Sequence, residues 1–148
     1  MPRTTALVLV AACIAAPAAA QQAVSDPETI GHCLCLHQEV DARSATVARA
    51  RQSLDQAQAN ATNLSQDVTR RPAQVQVDSN VDIAAFTDLL RRSEEATAQV
   101  NALQVPAYNN AVAAYNQSVA AYSGECAGKS FDAAALARAQ AGLSCPKP

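Results

Sequence analysis

Apolar residues recur at alternating spacings of three and four over most of the chain. The first series comprises Cys33, Leu36, Val40, Val47, Ala50, Leu54, Ala57, Ala61, Leu64 and Val68. Arg43 is the single polar interruption in it. This spacing is typical of a helix that packs along a coiled-coil seam, because two residues in every seven then face the partner helix.

Prolines and capping residues mark the ends of this helix. Asp26, or alternatively Ser25, can cap its N-terminus, and Pro27 suits the first helical position. Pro72 disfavours continuation of the helix through the residue before it. We therefore predict a helix over residues 27–71.

A second apolar series follows a ten-residue connection over 72–81 and changes phase partway along. Pro106 lies near the change of phase and lacks a backbone N–H, so we expect a kink near residue 106. The predicted helix runs over 82–123, with Ser79 or Asn80 as its N-cap. Its seam residues are Phe86, Leu89, Ser93, Ala96, Val100 and Leu103, then Tyr108, Val112, Tyr115, Val119, Tyr122 and Cys126.

A third, shorter helix is predicted near the C-terminus. Residues 124–129 contain two of the four glycines and are expected to form a loop. Ser130 or Asp132 can cap a helix over 131–142, since Gly142 favours a helix end. The chain then ends in an irregular tail.

These elements predict an all-α fold, a long antiparallel two-helix hairpin that resembles a coiled coil and carries a short third C-terminal helix. Helices of similar length joined by a short connection pack antiparallel. With the turn centred near residue 79 or 80, the numbers of two facing residues add up to about 159. Cys33 and Cys126 satisfy this relation.

Residues 1–20 have the pattern of a cleavable signal peptide. Arg3 supplies the positive charge, an apolar run follows, and Ala18 to Ala20 offer small residues at the cleavage site. The run is shorter than the roughly 20 residues that a membrane-spanning helix needs. Cys13 ends a stretch that resembles a bacterial lipobox, so a lipoprotein is the alternative. We expect export to the periplasm or secretion.

Residues 21–148 then form a single helical-hairpin domain with four cysteines. An even number of cysteines in an exported chain predicts disulfides. The hairpin register favours Cys33–Cys126. Cys35 lies about 200° around the helix from Cys33 and is therefore assigned to Cys145 at the open end of the hairpin. The swapped pairing, Cys33–Cys145 with Cys35–Cys126, stays open.

The net charge of the chain limits the classes of partner that we expect. Loss of Arg3 with the signal changes the formal charge from −2 to −3. Nucleic acids and anionic membranes attract basic surfaces, so neither is expected as a partner. We expect another envelope protein or a second copy of the chain, with no stable membrane insertion after signal cleavage.

The segment His32, Cys33, Cys35 and His37 is the one cluster that resembles a set of metal ligands. Thiolates and imidazoles suit zinc or copper(I), although on one helix these side chains point around most of the circumference. A cysteine near a helix N-terminus can also serve in thiol–disulfide exchange. A small metal-binding or thiol-redox protein is therefore the alternative function.

A repeated Ala-Tyr-Asn pattern with a period of seven places Tyr108, Tyr115 and Tyr122 on one helix face. The tyrosines are interpreted as lining of the hairpin, with an interaction face as the alternative. No arrangement of nucleophile and base suggests catalysis, and no cofactor is expected. The sequence favours a non-catalytic, exported structural or protein-interaction module.

Overall fold

The computed structural model describes residues 23–76 and 78–146. The predicted signal peptide at residues 1–20, with Cys13 inside it, lies outside the described residues. The last two residues, 147–148, also lie outside them.

Helix α1 spans Pro27–Arg70 and forms the first arm of the hairpin. Asp26 is its N-cap, and the Asp26 carboxylate accepts a hydrogen bond of 2.9 Å from the backbone N–H of Thr29. At 44 residues the helix is about 66 Å long. A 3-10 turn over Arg71–Gln74 follows it and includes Pro72, as expected where a proline ends a helix.

The second arm consists of α2 (Asn80–Gln99), a π-helical turn (Val100–Gln104) and α3 (Val105–Glu125). Ser79 caps α2, because its hydroxyl accepts a hydrogen bond of 3.3 Å from the N–H of Asp82. The arm therefore begins two residues earlier than predicted and ends two residues later.

The π-helical turn explains the change of phase in the second apolar series. The Val105 N–H donates to the Val100 carbonyl, five residues back, so the turn contains one more residue than an α-turn. Pro106 follows directly, and a proline has no N–H to continue the regular pattern. Leu103 was predicted on the seam, and that prediction is wrong, since Leu103 is 60% exposed.

Helix α4 spans Ala133–Ala141 and is capped by Asp132, whose carboxylate accepts from the Ala135 N–H at 2.9 Å. The predicted start of the preceding loop was wrong, because α3 continues through Gly124. A single glycine weakens a helix by only about 1 kcal/mol, which packing can offset. The chain turns at Gly128, which has a φ of 77°.

The predicted fold class is confirmed: two long helical arms pack antiparallel, and a short helix packs at their open end. α1 contacts α2, α3 and α4. Every predicted seam position of α1 is buried or half-buried, and Leu54, Leu89 and Val100 are buried. The described residues contain no strand, only an isolated bridge between Val24 and Phe131.

Candidate functional site

Both disulfides lie at one end of the hairpin, which we call the disulfide end (residues 24–43 and 118–146). Cys33 on α1 is joined to Cys126, the C-cap of α3, with their Cα atoms 5.5 Å apart. Cys35 is joined to Cys145 in the tail after α4, with a Cα separation of 5.3 Å. Cys33–Cys126 is the pair expected from the hairpin register, and Cys35–Cys145 is the pair assigned from the position of Cys35 around the helix. The second arm and the tail are thereby cross-linked to one turn of α1.

The two disulfides differ in accessibility. The residues Cys33 and Cys126 are each only 3% exposed, because they face each other across the seam. Cys35 and Cys145 are half-buried, and Cys35 lines an open cleft. The 200° between the two cysteines of α1 therefore places one disulfide inside the hairpin and the other at its surface.

Helix α4 is held against α1 by a small apolar core. Ile30 and Ala135 are 0% exposed, and Ala139 packs beside them. Two backbone hydrogen bonds fix the segment before α1 to the segment before α4: Val24 N–H donates to Ser130 at 2.8 Å, and Asp132 N–H donates to Val24 at 2.9 Å. The disulfide end is thus ordered by packing and hydrogen bonds as well as by cross-links.

The two histidines of the candidate metal segment have separate partners. His32 Nε2 lies 2.7 Å from Glu125 Oε2 on the opposite arm. His37 Nδ1 lies 3.2 Å from Asp41 on its own helix, and the His37 and Tyr122 rings form a T-shaped pair with 5.7 Å between their centroids. Within residues 23–76 and 78–146, no three His, Cys, Asp or Glu side chains come together as metal ligands. The segment does not converge on one point.

The tyrosine series lies at the contact between the arms. Tyr108, Tyr115 and Tyr122 are all half-buried. The Arg51 guanidinium carbon lies 5.8 Å from the centre of the Tyr108 ring, a distance at which a cation–π attraction operates. The hydrogen bond to Asp55, and secondly the nearby Tyr108 hydroxyl, raise the pKa of Arg51 above its ordinary value. Tyr108 therefore packs against Arg51 and Tyr122 against His37, and both of these partners lie on the opposite arm.

A cleft of about 600 Å³ runs beside the half-buried Cys35–Cys145 disulfide, and we call it the main cleft. One wall is a face of α1 from Pro27 to Glu39, and the other is formed by the end of α4 and the tail. Its lining residues are Pro27, Glu28, Gly31, His32, Cys35, Leu36, Glu39, Arg138, Ala139, Gly142, Leu143, Ser144 and Pro146. This volume falls in the range of ligand-binding clefts.

A second cleft of about 500 Å³, the side cleft, lies on the other flank of the first turns of α1. It is bordered by α3 and the following loop, including Gly124 and Lys129. Glu28 and His32 line both clefts, so these two side chains separate them.

Sequence reasoning missed the main cleft because it forms between segments more than 100 residues apart. Arg138, Gly142 and Leu143 are held beside α1 by the Cys35–Cys145 bond, by the packing of α4 and by the Val24–Phe131 bridge. The sequence does contain one signal for the cleft, Gly31, which is the only glycine of α1 and lies in its second turn.

Comparisons with protein-family models, with curated protein sequences and with solved structures find no match to this chain. Among the described residues, no helix combines the length and apolar character needed to span a bilayer. The disulfides indicate an oxidising, exported environment, since such bonds persist outside the reducing cytosol.

Proposed function

We propose that this protein is a non-catalytic interaction module of the bacterial periplasm, and that it presents the main cleft at the disulfide end to another envelope protein. The observation that carries the proposal is the cleft itself, which lies between elements joined by two disulfides. The long two-helix hairpin separates the cleft from the turn that joins the two arms.

Rigidity supports a binding role. A site whose walls are held in place before binding loses less conformational entropy when the partner docks. Here Cys35, in one wall of the cleft, is covalently joined to Cys145, in the tail that forms the other wall. The buried Cys33–Cys126 bond fixes α1 to α3 at the same level.

The periplasmic location is supported by two independent features. Disulfides suit an oxidising compartment. The alanine-rich pattern of residues 1–20 is that of a bacterial signal peptide. Purification of the protein from its host, followed by N-terminal sequencing, tests both: a chain that begins at Gln21 in the periplasmic fraction is expected, and a lipid on Cys13 would contradict it.

The metal-binding or thiol-redox alternative makes a different prediction. It needs thiolates, whereas Cys33 and Cys35 are both committed to disulfides. Intact mass with and without alkylation counts the free thiols of the purified protein. We expect none; two or more would favour the alternative.

Site-specific photo-crosslinking in the native host tests the binding role. A photoreactive side chain in place of Ser144, which lines the main cleft, is expected to give discrete adducts with an envelope protein. The same side chain in place of Arg92, exposed on α2, is the control and should give none of those adducts. A second copy of the chain as partner would appear as an adduct of twice the mass. Equal labelling from both positions would contradict the proposal.

A further inference from the structure

We propose that the main cleft binds an extended segment of the partner protein in which apolar side chains alternate with, or stand beside, Lys or Arg. This inference rests on the proposed function and names the chemistry of the partner. It follows from the space and the shape of the cleft and from the charge of the disulfide end around it.

Gly31 leaves room for a bound segment in the main cleft. A glycine in a helix costs about 1 kcal/mol relative to alanine. Yet a Cβ atom built on Gly31 would meet nothing within 4 Å, so packing inside the chain does not require glycine there. A side chain at this position would instead stand in the main cleft, which Gly31 lines. The glycine keeps the surface of α1 open for an occupant that approaches the helix closely.

The shape of the cleft fits an extended chain. Its α1 wall runs from Pro27 to Glu39, about 18 Å along the helix axis. An extended peptide of about five or six residues covers that length. Leu36 and Leu143 supply apolar contacts from the two walls, so alternate side chains of such a segment can be buried.

The charge of the disulfide end favours a basic segment. Six carboxylates lie there, against Arg43, Lys129 and Arg138, so this end carries most of the excess negative charge of the described chain. Glu28 and Glu39 line the main cleft itself, together with Arg138. The remaining described residues are nearly balanced, with seven carboxylates and six arginines. Complementary charge guides encounter and selects among partners. The six carboxylates belong to Asp26, Glu28, Glu39, Asp41, Glu125 and Asp132.

Three synthetic heptapeptides test this chemistry with the oxidised protein purified after export. The first has lysine at both ends and leucine at alternate inner positions; the second replaces lysine by glutamate, and the third replaces leucine by serine. We expect the first to bind at least tenfold more tightly than the others and to shift the NMR amide signals of Gly31, Leu36 and Gly142. Absence of binding, or equal binding of the glutamate peptide, would overturn the inference.

Two helical glycines provide a matched pair of variants. Gly31→Leu fills the main cleft, whereas Gly124→Leu fills the side cleft, and neither Cβ meets another atom within 4 Å. We expect Gly31→Leu to weaken binding of the lysine–leucine peptide at least tenfold and Gly124→Leu to change it less than twofold. Melting curves verify that both variants fold. Undiminished binding by Gly31→Leu would place the peptide elsewhere and overturn the inference.

The crosslinking experiment separates the two proposals. If adducts from position 144 persist but none of the peptides binds as expected, the interaction role stands and the proposed partner chemistry is wrong. If the adducts are absent as well, both proposals fail.

Discussion

Ser118 on α3 contacts Glu39 on α1 across the hairpin, with 3.1 Å between Ser118 Oγ and Glu39 Oε1. The same Glu39 oxygen lies 3.4 Å from Arg43 on its own helix. The hairpin register places Arg43 opposite the neutral Asn116, so its charge is balanced within α1 instead. The polar interruption of the seam is thus accommodated by a carboxylate one turn away.

Replacement of Ser118 by alanine tests this contact. Ser118 is only 6% exposed. Its hydroxyl lies 3.2 Å from the Ala114 carbonyl and can donate its proton to that oxygen instead of to Glu39. Loss of one partly buried hydrogen bond costs about 1 kcal/mol, and we expect Ser118→Ala to lower the free energy of unfolding by that amount. Urea titration measures it. Ser123→Ala, at an exposed position of the same helix, is the control and should change stability little.

Deletion of Leu103 should remove the π-helical turn and leave the second arm interrupted only at Pro106, which has no N–H for a regular α-turn. Val100 and Tyr108 are eight residues apart, one more than a heptad, and Leu103 is an exposed residue of the turn between them. Its removal restores a spacing of seven, so the seam residues on both sides keep their positions. We expect both disulfides to form and the free energy of unfolding to change by less than about 1 kcal/mol. Cα chemical shifts and urea titration measure the two effects.

Leu89 offers the matched deletion on the same arm. It is 6% exposed and lies in the seam, so its loss rotates the following residues about 100° away from α1. We expect that deletion to cost several kcal/mol. Equal damage from the two deletions would contradict the assignment of Leu103 as the extra residue.

Periodicity was sufficient to predict the hairpin, because a seam of spacing three and four leaves few ways to bury a long helix. The same periodicity fixed the face on which Cys33 lies, and the length of the connection fixed which residue of the other arm faces it. The phase change before Tyr108 was also visible in the sequence. The structural form of this phase change could not be read from the sequence, since both a proline kink and a π-helical turn can accommodate it.

The main cleft could not be predicted from periodicity, because it depends on how α4 and the tail return to α1. That path is set by the packing of Ile30 against Ala135 and by the Val24–Phe131 bridge. These contacts join short segments without a repeating pattern. The contact of Glu39 with Ser118 was missed for a related reason: neither residue belongs to the apolar series from which facing pairs were predicted.

Substitution of Thr29 by valine should raise the pKa of Asp26. The Thr29 hydroxyl, and secondly its backbone N–H, donate to the Asp26 carboxylate and hold its pKa below the ordinary value. A carboxyl whose pKa is lower in the folded state stabilises the fold above its unfolded pKa, and that contribution is lost below about pH 4. Thr29→Val removes the hydroxyl and keeps the N–H, so the pKa should move partway back.

An NMR titration of the Asp26 carboxyl carbon measures this change. Thr46→Val is the control, because the Thr46 hydroxyl donates to the Ala42 carbonyl and to no carboxylate. A pKa of Asp26 that moved equally in both variants would show that the Thr29 hydroxyl is not the cause.

Limited reduction with dithiothreitol should reduce the two disulfides one after the other, beginning with the more accessible one. Attack on a disulfide requires access of a thiolate to sulfur, so the half-buried Cys35–Cys145 bond is expected to open before Cys33–Cys126, whose residues are each 3% exposed. Alkylation of quenched samples followed by peptide mass mapping identifies the released thiols. Simultaneous release, or prior release of Cys33 and Cys126, would contradict the structure.

The two cross-links should nevertheless contribute similarly to stability at equilibrium. With one bond intact, loss of the other opens a ring of only about 23 residues (33–35 and 126–145), whichever bond is removed, and this corresponds to about 3 kcal/mol. We therefore expect the double variants Cys33→Ala with Cys126→Ala, and Cys35→Ala with Cys145→Ala, to lose comparable free energy of unfolding in urea. The buried pair should lose somewhat more, since its removal also leaves a void in the seam. A surface pair that contributed nothing would show that α4 and the tail are held to α1 by the Ile30–Ala135 packing alone.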